Sequence, residues 1–153
     1  MSRIKELRTK VYEILEKIED NEKRAKAVAH LHGVSLAATI IAKKRGEDAE
    51  LAAMAGLLHD MYAYDHGSYD DHARLGAEYA RELLDELALT TPEETDIICN
   101  AIANHDSKAE VHSPMDEVLK DADVIDHSLN DPTKEVKEHE RERYEKLCEE
   151  FGM

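Results

Sequence analysis

The sequence has no tryptophan, one phenylalanine, two cysteines and three prolines among its 153 residues. Cys99 and Cys148 are too few and too far apart for a disulfide framework or a cysteine metal site, so both thiols are expected to be reduced. No apolar run approaches the roughly 20 residues of a membrane span, and the first residues lack the apolar segment of a signal peptide. These absences predict a cytoplasmic protein with no membrane partner.

Basic side chains are also scarce relative to acidic ones. The chain has 20 Lys and Arg against 35 Asp and Glu, which gives a formal net charge of −15. A surface of this sign repels nucleic-acid backbones and anionic lipids, because it cannot replace their counterions. We therefore expect a partner that is not a nucleic-acid polymer.

The residues that are present fit one globular domain. Hydrophobic residues make up 42% of the chain and charged residues 36%, and no repeat, low-complexity tract or linker divides it. A domain of this length buries roughly 70% of its unfolded surface, so it needs no structural metal. We expect a single domain over residues 1–153, in which any bound metal serves function.

Apolar residues recur at spacings of three and four at both ends of the chain, which predicts amphipathic terminal helices. They are Ile4, Leu7, Val11, Ile14, Leu15 and Ile18 at one end, and Val136, Tyr144, Leu147 and Phe151 at the other. Further helices are predicted over residues 22–44, 48–60 and 70–88, and no stretch alternates as a strand would. The predicted fold class is all-α, a compact bundle of six to seven helices. The terminal helices could pack on their own domain or on a second copy, which leaves a homo-oligomer open.

Each proline follows a residue that can cap a helix, which predicts three helix starts. The pairs are Thr91-Pro92, Ser113-Pro114 and Asp131-Pro132. Glu94 and Asp116 lie where a capping box places its acid. The polar segment from Tyr62 to Asp71 is predicted to be a loop that could cover a site.

Nine histidines are present, and several lie on the apolar side of predicted helices. One inward histidine is more often a hydrogen-bonded core residue than a ligand, but several together favour a metal site. The adjacent His59 and Asp60 combine an imidazole with a carboxylate, which suits iron, manganese, zinc or a similar divalent ion. An HD dipeptide alone is weak evidence, but other candidate donors surround this one: His30, His72, His105 and Asp123.

This ordered pattern, H…HD…H…H…D, resembles the HD-domain superfamily of metal-dependent phosphohydrolases over residues of about 25–130. The segments that carry the resemblance are HLHGVSLAATIIA, LLHD, HARLGAEYARELL, AIANHD and LKDADVID. The resemblance implies the HD-domain fold and two divalent metal ions, which could be Fe, Mn, Zn, Mg, Co or Ni. The implied ligands are His30, His59, Asp60 and Asp123 for one ion, and Asp60, His72 and His105 for the other, with Asp60 bridging.

Three of these assignments have rivals nearby. His32 competes with His30, His66 with His72, and Asp121 with Asp123. The HxxxV and HxxxGA patterns of the family and the alanine before its aspartate favour the residues named above. Asp126 and His127 are interpreted as capping or supporting groups, and His112 and His139 as solvent-exposed residues.

Three glycines lie inside predicted helices, each three or four residues from a proposed ligand histidine. They are Gly33, Gly56 and Gly76. Each costs about 1 kcal/mol of helix stability relative to alanine. Close helix approach around a buried site would account for that cost, and so would ordinary helix packing.

Four imidazoles, two carboxylates and two divalent ions would leave the site positive by about two units, enough to attract an anion. Two metal ions about 4 Å apart can activate a bridging water and stabilise an in-line attack on phosphorus. The resemblance therefore implies hydrolysis of a small anionic phosphorylated substrate by a metal-bound hydroxide. Asp60 and Lys108 are the expected catalytic residues, and Lys108 and Arg74 the expected phosphate contacts.

The chain departs from the family at one position. Many members carry a lysine three residues after the HD aspartate, where this sequence has Ala63. Either Lys108 takes over that role, or phosphate transfer is not the reaction. Two alternatives are a mixed-valent di-iron oxygenase on the same ligands and a non-catalytic metal- or nucleotide-binding regulatory domain. A mononuclear nucleotidase that uses only His30, His59, Asp60 and Asp123 is a variant of the hydrolase hypothesis.

Overall fold

The computed structural model describes all 153 residues, and its regular structure is entirely helical. The helices are α1 (Arg3–Leu15), α2 (Asn21–Arg45), α3 (Ala49–Leu58), α4 (Met61–His66), α5 (His72–Leu87), α6 (Pro92–Asn104), α7 (Pro114–Leu129) and α8 (Arg141–Phe151), with a 3₁₀ turn at Glu138–Glu140. Seven of the α-helices have ten residues or more, and α4 has six. The all-α prediction of six to seven helices is confirmed, with α4 as an additional short element.

Helix α2 forms the centre of the bundle, where it packs against α3 and α7. It contains the one segment that is long and apolar enough to cross a membrane by length and composition, with a mean hydropathy of 1.3. The sequence analysis did not single out this helix, because polar residues such as His30 and His32 interrupt its apolar residues. Burial accounts for one side of α2, whose apolar residues lie in the core: Ala27, Leu31, Val34, Ala37, Ala38, Ile41 and Ala42. Leu36 and Ile40 of the same helix are exposed.

Gly56 allows α2 and α3 to cross closely. A Cβ atom at this position would lie 2.7 Å from the Cα of Ser35 and 2.8 Å from its backbone nitrogen. Those backbone atoms move only if α2 moves. At the same crossing the Ser35 hydroxyl donates a hydrogen bond of 2.9 Å to the carbonyl of Ala53. The crossing sets the C-terminal end of α3 beside the middle of α2.

Two of the three helix starts that the prolines predicted are confirmed, and the third is wrong. Helices begin at Pro92 and Pro114 as predicted, and Thr91 forms the predicted capping box with Glu94. No helix begins at Pro132, so that prediction is wrong. The Asp131 carboxylate instead accepts hydrogen bonds from the backbone N–H and the hydroxyl of Thr133, which closes a turn.

Asp116 does not act as the acid of a capping box, because Ser113 makes no side-chain cap hydrogen bond. The Asp116 carboxylate is buried and accepts a hydrogen bond of 2.9 Å from the amide of Asn104. This contact joins the start of α7 to the end of α6.

The segment from Tyr62 to Asp71 is only partly a loop. Its first five residues, through His66, belong to α4, which ends at Gly67 with a φ of 71°. The turn that follows ends at Asp71, whose φ of 53° is positive, and α5 begins directly at His72. The short turn therefore fixes the backbone position of His72 at the start of α5.

Both terminal helices pack on their own domain. Helix α1 buries Leu7, Val11, Ile14 and Leu15, whereas Leu147 is the fully buried residue of α8. Val136 precedes α8 and is not part of it. Arg143 of α8 donates to the carbonyls of Lys108 and Glu110 at 2.7 Å each, which fastens α8 to the connection between α6 and α7.

Replacing Glu94 with glutamine is expected to lower the free energy of unfolding by about 1 kcal/mol at pH 7. Its carboxylate accepts from the Thr91 backbone N–H and from Arg3 of α1. The Arg3 guanidinium, followed by the Thr91 N–H, lowers the pKa of Glu94 to about 2. This stabilisation is present above the ordinary pKa of a glutamate and is lost as the pH falls towards 2. Urea unfolding of both proteins at pH 7, 4 and 3 should show the difference shrinking; a constant difference would contradict the assignment.

Candidate metal centre

Six side chains from five helical segments converge at one end of the bundle. His30 comes from the middle of α2, His59 and Asp60 from the end of α3, His72 from the start of α5, His105 from the end of α6, and Asp123 from α7. His59, Asp60, His105 and Asp123 are buried, and His30 and His72 are partly exposed. The helices therefore bring together every residue that the sequence analysis proposed as a ligand.

Asp60 lies between two pairs of histidines. Its Oδ2 atom is 3.2 Å from Nε2 of His30 and 3.3 Å from Nε2 of His59. Its Oδ1 atom is 3.6 Å from Nε2 of His72 and 3.4 Å from Nε2 of His105. One carboxylate thus offers a separate oxygen to each pair, which is the arrangement that a bridging ligand requires.

Asp123 completes the group formed with His30 and His59. Its Oδ1 atom is 3.3 Å from Nε2 of His30 and 3.4 Å from Nε2 of His59. The other oxygen accepts a hydrogen bond of 2.9 Å from Lys108 Nζ. The Oδ1 atoms of Asp60 and Asp123 are both buried without any hydrogen-bond partner.

Three of the histidines are oriented by their own helical segments. Each Nδ1 lies close to the backbone carbonyl three residues earlier, at 2.8 Å for His59, 2.9 Å for His72 and 2.6 Å for His105. A carbonyl can only accept, so Nδ1 donates this hydrogen bond and Nε2 is the ring atom that faces the centre and is available to a metal ion. Such hydrogen bonds fix the ring orientation and tautomer of metal-binding histidines.

His30 is held by a side chain instead. Its Nδ1 atom is 2.6 Å from Oδ2 of Asp126 on α7. Gly33 provides the room, because a Cβ atom there would lie 1.9 Å from Oδ1 of Asp126. Asp126 therefore supports His30, and Gly33 is required by this contact rather than by helix packing in general.

Substituting alanine for Gly33 is expected to displace Asp126 and to weaken metal binding by about 10- to 100-fold, the usual effect of losing such a supporting contact. The matched control is Gly76→Ala, whose Cβ would lie 3.4 Å from the His59 carbonyl, an ordinary contact. That control should gain up to about 1 kcal/mol from helix propensity. Metal titration followed by thermal unfolding measures both effects, and equal metal affinity in the two variants would refute this role of Gly33.

The electrostatics of the centre favour a bound cation. Burial lowers the pKa of His30 and His59, but the neighbouring carboxylates outweigh burial and raise the pKa of both. Burial likewise raises the pKa of Asp60 and Asp123, but the surrounding histidines hold the pKa of both well below the usual range. The two carboxylates therefore require nearby positive charge, which protons on the histidines or a bound cation can supply. Converging Nε2 atoms and unpartnered carboxylate oxygens fit divalent metal ions.

Comparison with known proteins identifies the family of this chain. The model of the HD domain family matches residues 27–131. The chain belongs to the HD domain family. A crystal structure of a predicted HD superfamily hydrolase from an uncultured Thermotogales bacterium shares the fold, with a TM-score of 0.66 and 24% identity over 92% of this chain and 87% of that one.

The HD domain is also similar in sequence to curated ribonuclease Y proteins. It is 35% identical to ribonuclease Y of Listeria welshimeri over 121 residues, which is 78% of this chain and 22% of that protein. It is 34% identical to ribonuclease Y of Staphylococcus epidermidis over 121 residues, 78% of this chain and 20% of that protein. The chain spans about a fifth of the length of these relatives.

The rivals of three ligands lie elsewhere in the HD domain. His32 is in contact with Tyr12, and His66 is exposed and stacks on Tyr62. The Asp121 carboxylate binds two arginines, with distances of 2.8 Å to Arg45 Nη2 and 3.1 Å to Arg143 Nη1. None of the three contributes to the centre.

The two expected phosphate contacts have different environments. Lys108 is only 7% exposed and lies beside Asp123, with its Nζ also 3.8 Å from Oε2 of Glu140. Arg74 is 62% exposed on α5, and its guanidinium binds the carboxylates of Asp71 and Glu78. Lys108 is therefore within the centre, whereas the structure does not bring Arg74 to it.

The centre opens into a cavity of about 720 Å³ with residues that the sequence analysis missed or placed elsewhere. Tyr64 and Tyr69 line one part of its wall. Three lysines also line it: Lys26, Lys134 and Lys137. His127 and Glu140 lie in it as well; His127 is four residues after Asp123 on the same helix, a spacing that could have revealed it.

His112 and His139 were both expected to be solvent-exposed, and the structure differs for one of them. His139 is exposed, as expected, at the edge of the cavity. His112 is not simply solvent-exposed, because its Nδ1 lies 2.7 Å from the ammonium of the buried Lys120. His112 therefore helps to anchor the connection between α6 and α7.

Proposed function

We propose that this HD domain is a metal-dependent phosphohydrolase that acts on a small phosphorylated metabolite or nucleotide. The observation that carries the proposal is the position of Asp60, whose two oxygens face separate histidine pairs beside the buried ammonium of Lys108. A pair of adjacent cation positions with a neighbouring lysine suits a substrate whose reacting group is an anionic phosphate.

The proposal gives the donors two overlapping sets. His30, His59, Asp60 and Asp123 would hold one divalent ion, and Asp60, His72 and His105 would hold the second. When bound, such ions would polarise a phosphate oxygen and lower the pKa of a coordinated water. The protein sets the orientation of the histidine ligands, because the Nδ1 atom of each one is hydrogen-bonded to a carbonyl or a carboxylate.

Lys108 would supply the positive charge that contacts the substrate directly. Its ammonium is 2.9 Å from Asp123 Oδ2, so the lysine is held at the wall of the cavity rather than extended into solvent. An ammonium in this position can donate to a nonbridging phosphate oxygen without a large change of side-chain conformation. Lys108 would thereby replace the lysine that many relatives carry at the position of Ala63.

A second candidate substrate is an RNA phosphodiester, and the similarity to ribonuclease Y is the observation that favours it. The same donors and the same lysine would serve that reaction. The net charge of −15 opposes binding of a long polyanion. A cavity of about 720 Å³ matches the size of sites for small ligands.

The test measures phosphate release from nucleoside monophosphates and sugar phosphates, and cleavage of a labelled oligoribonucleotide, with each of Mn²⁺, Co²⁺, Zn²⁺ and Mg²⁺. His59→Ala should lower the rate on the order of 10³-fold, because it removes a buried donor. His66→Ala is the matched control, because it removes an exposed histidine that lies outside the centre, and it should retain activity. Phosphate release only from small esters supports the first substrate class, and cleavage of RNA alone supports the second.

Two results would reject phosphate hydrolysis. If both variants have the activity of the unmodified protein, the reaction does not take place at this centre. If the protein contains iron, consumes oxygen with a small organic substrate and releases no phosphate, the di-iron oxygenase alternative replaces the proposal.

A further inference from the structure

Two tyrosines are the only large apolar side chains in the wall of the cavity beside the metal centre. Lysines, carboxylates and histidines form most of that wall, and apart from Ala29 its hydrophobic residues are Tyr64 and Tyr69. Aromatic residues are scarce in the chain, which has six tyrosines, one phenylalanine and no tryptophan. Tyr69 is nevertheless 58% exposed. It therefore presents aromatic surface to a molecule that occupies the cavity.

The rings of Tyr64 and Tyr69 form an aromatic corner. Their planes are tilted by 82°, and their centroids are 6.4 Å apart. A planar group that stacks on one of these rings meets the other ring nearly edge-on, and both arrangements are favourable for aromatic rings. Burial, followed by the charge of Asp60, raises the pKa of both phenols. Their hydroxyls are therefore protonated and can donate hydrogen bonds.

The aromatic corner lies on the Oδ1 side of the bridging aspartate. The ring centroid of Tyr69 is 5.3 Å from that of His72, and Nε2 of His72 is 3.6 Å from Asp60 Oδ1. One imidazole thus separates the tyrosine ring from the carboxylate. In a nucleoside monophosphate one ribose separates the phosphate from the base, so a phosphate at the centre would bring the base to the corner.

The backbone of Tyr69 already has a role, whereas its side chain is free to contact a ligand. The Tyr69 carbonyl accepts hydrogen bonds from the backbone N–H of His72 at 3.2 Å and from its Nδ1 at 2.9 Å. The turn is bounded by Gly67 and Asp71, which have positive φ values of 71° and 53°. Replacing the tyrosine side chain therefore leaves the contacts that orient His72 in place.

We propose that the aromatic corner binds the base of a nucleoside monophosphate and that Tyr69 determines this specificity. The inference rests on the proposed function, in which the phosphate lies at the metal centre beside Lys108. Every nucleobase has a flat face that stacks on an aromatic side chain. A sugar phosphate offers no such face. Among small phosphate esters, the corner thus selects nucleotides over sugar phosphates.

The first test measures binding rather than turnover. Calorimetric titration compares the methylenephosphonate analogue of adenosine 5′-monophosphate, which cannot release phosphate, with the matching analogue of ribose 5-phosphate. The unmodified protein should bind the adenosine analogue about 10- to 100-fold more tightly, the usual effect of stacking one base on an aromatic side chain. Tyr69→Ala should lose this preference, and Tyr69→Phe should retain it because the ring remains. Equal affinity for the adenosine analogue in Tyr69→Ala and the unmodified protein would overturn the inference.

The contact between the rings of Tyr69 and His72 calls for a control on the same preparations. Tyr69→Ala should contain as much metal as the unmodified protein, because the carbonyl of residue 69 still supports His72. Its affinity for the ribose analogue should be unchanged. If Tyr69→Ala loses metal, or if it binds both analogues equally more weakly, residue 69 acts through His72 and the inference is wrong.

Steady-state kinetics separate this inference from the proposed function. Phosphate release from adenosine 5′-monophosphate should show a raised KM in Tyr69→Ala, whereas release from ribose 5-phosphate should be unchanged. If the adenosine analogue binds through Tyr69 but neither ester is hydrolysed, the inference stands and the proposed function fails. If both esters are hydrolysed and Tyr69→Ala alters neither KM nor binding, the proposed function stands and the inference fails.

Discussion

Changing Asp60 to asparagine is expected to remove metal from both halves of the centre and to lower kcat/KM by about 10³-fold or more. The amide has nearly the same size as the carboxylate, so packing should survive. It has only one oxygen and no charge, however, and cannot serve two histidine pairs through two oxygens. The measurements are metal content per chain and initial rates of phosphate release.

The chain contains its own matched control for this variant. Asp106 follows His105 in a second HD dipeptide and also lines the cavity, but its side chain is exposed and is not among the donors. Asp106→Asn should retain metal and most of its activity. Full metal content in Asp60→Asn, or an equal loss in both variants, would contradict the bridging role of Asp60.

The second large effect is expected for Lys108→Met. Removing one preorganised cationic donor from a phosphate-binding site lowers kcat by about 10²- to 10³-fold. Metal content should not fall, because the lysine binds the Asp123 oxygen that faces away from the histidines. Inorganic phosphate should also become a weaker competitive inhibitor. Steady-state kinetics, phosphate inhibition and elemental analysis of the same preparation separate these effects.

Lys137→Met provides the comparison for Lys108→Met, because Lys137 lines the same cavity but is exposed. It should change kcat by far less. If Lys108→Met retains normal kcat and phosphate inhibition, Lys108 does not replace the lysine missing at Ala63. The oxygenase and regulatory alternatives would then gain support.

The helices and the ordered ligand pattern could be predicted because each depends on local spacing. Apolar residues three and four positions apart define α1 and most of α8, and Thr91 and Glu94 form a complete local motif at the start of α6. The helix start predicted at Asp131-Pro132 was wrong because a proline permits a helix to begin but does not require it. The residues after Pro132 are largely exposed, so no buried face stabilises a helix there.

The supporting residues were harder to predict because they come from distant parts of the chain. Asp126 reaches His30 across 96 positions, and the space that it uses exists only because residue 33 is glycine. Glu140 reaches His127 only because the turn after α7 folds back over the centre. Arg74 was expected to contact phosphate because it lies two residues after His72. Its guanidinium instead binds the carboxylates of Asp71 and Glu78, which sequence proximity to His72 could not reveal.

The most direct test of the account is the metal content of protein purified without added metal, compared with that of His72→Ala and His105→Ala. Each variant should contain one metal ion fewer per chain than the unmodified protein, because each loses a ligand on the Oδ1 side of Asp60. The ion held by His30, His59, Asp60 and Asp123 should remain. Identical metal content in all three proteins would show that His72 and His105 are not ligands, and a mononuclear centre would replace the bridged one.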